Sequence, residues 1–116
     1  MSRFGPALLL LVLAACSSPE PESSRWFKGN LHTHSLWSDG DDFPESIIAW
    51  YRDAGYAFVA LSDHNTLAEG ERWLPVLPSR EAAMEKYEAA FPDSWVEYRV
   101  FDGTLQVRLK TFDEYS

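Results

Sequence analysis

The sequence predicts a mixed α/β fold, and three observations carry that reading. A strand-like stretch over residues 25–34 ends in two histidines, a helix-like stretch follows over 41–56, and residues 56–62, "YAFVALS", form a nearly unbroken apolar run. Strand, crossover helix, strand is a βαβ unit, and its two strands lie parallel. Further on, residues 95–112 alternate about Asp102-Gly103, the signature of an antiparallel hairpin added to the α/β framework.

Each element has local support. Pro44 suits the first turn of the first helix, Glu45 suits the positive end of its dipole, and Gly55 is a natural C′ stop. Ile47, Ile48, Tyr51 and Ala54 recur at helical spacing and give it an apolar stripe. The apolar run that follows is what a strand covered on both faces requires. "LPVLP", Leu74 to Pro78, is too proline-rich for regular structure. A second helix is predicted from a Ser79 cap to about Ala90, with Ala83, Met84, Tyr87, Ala90 and Phe91 on its core side and Pro92 beyond its end. In the hairpin region Arg99, Arg108 and Lys110 are assigned to one solvated face, with the holding of an anionic substrate as the alternative.

Composition narrows the classes of function. At 116 residues the chain holds one domain at most. A net charge of -8 with no basic face argues against nucleic acid as a main partner. An aromatic content of 15% gives it the material for a core.

The first residues are of another kind. Arg3 precedes a wholly apolar run from Ala7 to Ala15, too short to span a bilayer but suited to the apolar region of an export signal. It leads into "LAAC", and Cys16 is the only cysteine, so no internal disulfide is possible. This junction resembles the lipobox of bacterial lipoproteins. The resemblance implies that residues 1–15 are a signal peptide and that Cys16 carries a diacylglycerol, which holds the protein to a membrane surface. Residues 16–24, rich in proline, serine and glutamate, read as a tether, and the folded part as residues 25–116. The expected location is outside the cytoplasm, lipid-anchored on the periplasmic or outer surface of a bacterial cell membrane.

The three histidines form a pattern. His32 and His34 are two apart on a strand and project to the same side, where two imidazoles can share one divalent ion. Asp39 returns toward them after a turn closed by Gly40. His64 ends the second strand. In a parallel pair both carboxyl ends lie on one edge, where α/β folds place their sites, so His34 and His64 are predicted to meet. Counting by twos, Phe58, Ala60, Ser62 and His64 share a side. His64 is therefore assigned to the metal and Asp63 to a supporting hydrogen-bond role behind the ligands. Asp41 and Asp42 are weaker candidates for the metal and are assigned first to capping the first helix.

"HTHSLWSDG" and "SDHN" resemble motifs I and II of the PHP (polymerase and histidinol phosphatase) superfamily of metal-dependent phosphoesterases. The likeness covers about residues 26–66, with Ser62 where threonine is commoner. It implies a distorted (β/α)7 barrel, of which this chain is the N-terminal portion with a hairpin added. It also implies His32, His34, Asp39 and His64 as metal ligands, and two or three divalent ions in a complete domain. Mixed imidazole and carboxylate donors suit Zn, Mn or Fe. The implied reaction is hydrolysis of a small phosphorylated substrate by a metal-activated water.

Such a barrel takes roughly twice this length, and the family's later ligands have no counterpart after His64. The chain is accordingly expected to be the first part of a longer protein and inactive alone. Two alternatives stand beside this reading. One is an amidohydrolase-like barrel, which also opens with HxH. The other is a non-catalytic surface lipoprotein that binds a metal ion or an anion.

Overall fold

Two short strands and the helix between them form as the apolar pattern requires. In the computed structural model, which describes residues 24–116, β1 (Gly29–Thr33) pairs in parallel with β2 (Phe58–Leu61), and α1 (Pro44–Asp53) makes the crossover. The signal peptide, Cys16 and all of the tether but Ser24 lie outside the described residues. Pro44 opens α1, Ala54 caps it, and Gly55 follows at φ +74°, the left-handed conformation that ends a helix at little cost to glycine.

Several expectations need correction. Asp41 and Asp42 do not cap α1: its N-cap is Phe43, with no side-chain bond. Asp42 instead accepts the Phe43 N–H at 3.0 Å and pairs with Lys86, tying the entry of α1 to the next helix. β2 is not covered on both faces, since Phe58 is exposed and Val59 to Leu61 are half-buried. Its only strand neighbour among the described residues is β1. "LPVLP" is not wholly irregular either. Arg72–Pro75 form β3, at the edge of a second sheet, where the missing N–H of Pro75 costs little. Ser79 caps nothing: residues Pro78–Arg80 make a 3₁₀ turn that runs into α2 (Glu81–Ala90). Ala83, Met84 and Tyr87 on α2 are buried and Phe91 is partly so, while Ala90 is exposed.

The hairpin forms from β4 (Tyr98–Phe101) and β5 (Thr104–Leu109). Asp102 and Gly103 both take positive φ, +48° and +70°, as a two-residue hairpin turn demands. It is more than an addition. β5 lies between β4 and β3, and its Val107 and Leu109 are 1% and 0% exposed. They join a core with Leu36, Trp37, Phe43, Leu74, Ala83, Met84 and Tyr87. Phe43 and Tyr87 stack with ring centroids 3.9 Å apart and planes 5° from parallel. The result is a mixed α/β fold with a two-stranded parallel sheet and a three-stranded antiparallel one; neither sheet closes on itself. A last short helix, α3 (Phe112–Tyr115), follows β5. Among the described residues no helix is long and apolar enough to cross a membrane.

Of the three cations assigned to a solvated face, Arg99 is exposed, Arg108 is half-buried and Lys110 is buried. Lys110 is only 4% exposed, pairs with Glu97 and sits 4.8 Å from the Trp95 ring centroid. Arg108 bonds Glu97 at 2.7 Å and also pairs with Glu114. Arg99 lies 4.4 Å over the Trp73 ring. The hydrogen bonds of Arg108 are the main cause that holds the Glu114 carboxyl down at about 2; partial burial opposes them and Thr111 adds to them.

Leu109→Ala is expected to lower the urea-unfolding free energy by about 2–5 kcal/mol, whereas Val100→Ala at an exposed position changes it by less than about 0.5 kcal/mol. Equal small effects would mean that β5 is not core. Protonation gives a second test. Between about 2 and the ordinary 4.5, the unfolded chain binds the Glu114 proton and the folded chain does not. The contribution of Glu114 is therefore complete above 4.5 and disappears as pH falls through about 2. A carbon-detected titration should place its midpoint near 2, and Arg108→Ala should return it toward the ordinary range.

Candidate metal centre

The site is built from the two strand ends. His32 lies on β1 and His34 just past it. Their ring centroids are 4.6 Å apart, so the two side chains share a side. β2 ends at Leu61, short of His64, which sits in a turn before Asn65. Asn65 has φ +51°, a conformation asparagine tolerates better than most residues. The parallel register brings these ends together: Thr33 is paired with Leu61, and the Ser62 N–H donates to the Thr33 carbonyl at 2.7 Å. The His64 ring then lies 4.3 Å from that of His34, centroid to centroid.

Asp39 arrives on a tightly folded loop. The N–H groups of Ser38 and Gly40 both donate to the Ser35 carbonyl, at 3.0 and 2.9 Å, and the Leu36 N–H donates to the Asp42 backbone carbonyl at 2.9 Å. A Cβ at residue 40 would come within 2.3 Å of the His34 carbonyl oxygen, so the loop closes only over glycine. Closed, it sets Asp39 Oδ1 at 2.8 Å from His34 Nδ1 and Oδ2 at 3.6 Å from His64 Nε2. One carboxylate spans two imidazoles. Donor atoms of His34, Asp39 and His64 all lie within 4.8 Å of one another.

Asp63 straps this loop to the second strand end. Its carboxylate accepts the Ser35 N–H, the Ser35 hydroxyl and the Ser38 hydroxyl, each at 2.7 Å. Ser35 is fully buried, and its Oγ also accepts the Trp37 N–H at 3.1 Å. Bonds to an ionised carboxylate are about twice as strong as neutral ones. These serines are the residues that sequence reasoning assigned no role, although both lie inside the quoted motif. Asn30 is another: it accepts the His32 N–H at 2.9 Å and donates to Thr33 Oγ1 at 2.9 Å and to Tyr51, joining β1 to α1.

His32 stands beside the group of three rather than in it. Its Nδ1 lies 3.0 Å from the Ser62 hydroxyl, and the residue is exposed. Cys16 lies outside the described residues.

Two imidazoles and a carboxylate are a donor set that can hold a divalent metal ion. His34 faces Asp39 through Nδ1, while its Nε2, on the other side of the ring, is buried with no hydrogen-bond partner. Desolvation is the largest single influence on Asp39 and pushes its pKa up. The Ser38 hydroxyl, the charges of His64 and His34 and a backbone bond together outweigh it, holding the carboxyl below its ordinary value. The side chains of Asp39 and His64 are 64% and 58% exposed, which leaves room for further ligands or a substrate. The residues present fit a divalent ion.

No known protein family, curated protein or solved structure matches the chain.

Asp63→Ala removes all three straps at once. Zinc affinity, measured by competition with a chromophoric chelator, is expected to fall about 10- to 100-fold. Unchanged affinity would show that the loop holds its place without Asp63.

Proposed function

We propose that this chain supplies the first metal-bearing strand ends of a PHP-type phosphoesterase domain that hydrolyses small phosphate esters. The observation that carries the proposal is the convergence of His34, Asp39 and His64 within 4.8 Å at the carboxyl ends of two adjacent parallel strands. In this reading His34, Asp39 and His64 hold one divalent ion of the Zn, Mn or Fe class, with His32 beside them as a further ligand. When bound, such an ion supplies Lewis acidity toward a phosphoryl oxygen.

The chain's own residues do the positioning. Asp39 aligns the two imidazoles through its two oxygens. Asp63 fixes the loop on which Asp39 rides, and the exposure of Asp39 and His64 leaves an approach from solvent. The barrel is part of the proposal. In the two-stranded sheet β1 and β2 pair only with each other among the described residues, leaving their outer edges for further parallel strands. Export and a lipid anchor on Cys16 complete it, supported by the apolar run and the lone cysteine. A second reading, metal binding without turnover, is favoured by the openness of the site.

The test is hydrolysis of p-nitrophenyl phosphate and of simple amides by the protein isolated from its native membranes, beside the 116-residue chain. The expected result is phosphate hydrolysis by the native protein that a chelator abolishes and His34→Ala lowers at least about a hundredfold, with little turnover by the short chain. Chelator-insensitive turnover would sink the proposal. Amide cleavage in place of phosphate cleavage would favour the amidohydrolase alternative.

A further inference from the structure

Next to Asp39 the second helix brings up two cations that no part of the metal centre uses. A cleft of about 490 Å³ is lined by Ser38, Asp39 and Asp41 from the loop and by Ser79, Arg80 and Lys86 from α2 and the turn before it. Neither cation is used up. Arg80 commits one N–H to the Pro75 carbonyl, at 3.1 Å, of the five it carries. Lys86 pairs with Asp42 through one of its three. α2 has no side-chain cap, and Ala82 in its first turn also lines the cleft, so the positive end of the helix dipole adds to the field there. The other basic side chains that sequence reasoning offered for an anion, Arg99, Arg108 and Lys110, do not line this cleft.

We propose that Arg80 and Lys86 form the seat for the substrate's anionic group, a tetrahedral phosphate oxyanion, against the ion held by Asp39. This rests on the metal reading above. Charge decides the direction. With a divalent ion on Asp39, the ion, a guanidinium and an ammonium outweigh the carboxylates of Asp39, Asp41 and Asp42 by one positive charge. The planar fork of Arg80 suits two oxygens of a phosphate, and Lys86 contributes a point charge. Asp42 holds Lys86 at the cleft and offsets part of its charge, while the remaining ammonium N–H groups stay available to donate to an anion.

The test is calorimetric titration with inorganic phosphate of the Mn²⁺-loaded and the metal-free chain, as wild type, Arg80→Ala and Lys86→Ala. Phosphate is expected to bind more tightly to the loaded chain. In both states each substitution should weaken it by about tenfold or more, the loss of one charge-assisted bond. Mn²⁺ affinity, titrated separately, should stay within about twofold, since neither side chain belongs to the group of three. Arg80→Lys, which keeps the charge and can still reach a carbonyl, should retain most of the phosphate affinity; it guards against loss of the turn as the cause. Phosphate affinity unchanged in both alanine variants, or equal losses of phosphate and Mn²⁺ affinity, overturns the seat. A wild-type chain that takes up no Mn²⁺ overturns the metal reading instead, and the metal-free arm still decides the seat.

Discussion

The site depends on one carboxylate that is not itself among the three candidate metal donors. Asp63 accepts three hydrogen bonds from Ser35 and Ser38, all at 2.7 Å, and so fastens the loop after β1 to the turn after β2. Asp39 is next to Ser38, and His64 is next to Asp63. The strap therefore fixes the two exposed donors relative to each other, although they belong to different strand ends. Without it, the Asp39 end of the loop would lose its side-chain ties to the turn after β2 and keep the backbone bonds to Ser35, the closure over Gly40 and the core anchorage of Leu36 and Trp37. Ordering two side chains on separate segments costs conformational entropy, and a strap formed during folding meets that cost before any ion arrives.

The same loop serves the core. Leu36 and Trp37 point into the apolar cluster, Phe43 stacks on Tyr87 at its far end, and the residues between them carry the site. The Trp37 indole N–H donates to the Lys110 carbonyl at 2.9 Å, which couples the loop to the end of β5. The Phe112 N–H donates to the Ala68 carbonyl at 2.8 Å, coupling the stretch after β2 to α3. The antiparallel sheet thus bears on the candidate metal centre through packing and these hydrogen bonds, without supplying any of the three donors. A core substitution on β5 and a substitution in the strap act on one connected unit.

Local patterns in the sequence made part of this legible. The βαβ unit was readable because Pro44, Gly55 and the apolar run after it punctuate helix and strand independently of anything distant. The Asp102-Gly103 turn was readable because its two positive φ angles restrict the residues that can fill it. Adjacent strand ends also follow from parallel pairing, which is why the histidine rings could be expected to meet. What was not readable depends on contacts far apart in sequence. Lys110 reads as a surface cation, yet Glu97 and the Trp95 ring enclose it. Asp42 reads as a cap, yet Lys86 on the next helix claims it. β3 was hidden by its proline, because only the pairing with β5 shows that Pro75 falls at a sheet edge. The serines that bind Asp63 lie in plain view in the sequence, but a hydroxyl carries no spacing signal of its own.

The metal centre is the claim on which the functional account turns, and its stoichiometry tests it most directly. Zinc content of the 116-residue chain, measured by elemental analysis after equilibrium dialysis, should reach one ion per chain. His34→Ala, Asp39→Ala and His64→Ala should each bring it close to zero at the same free zinc. A wild-type chain that retains no zinc, or zinc that survives all three substitutions, would contradict the account.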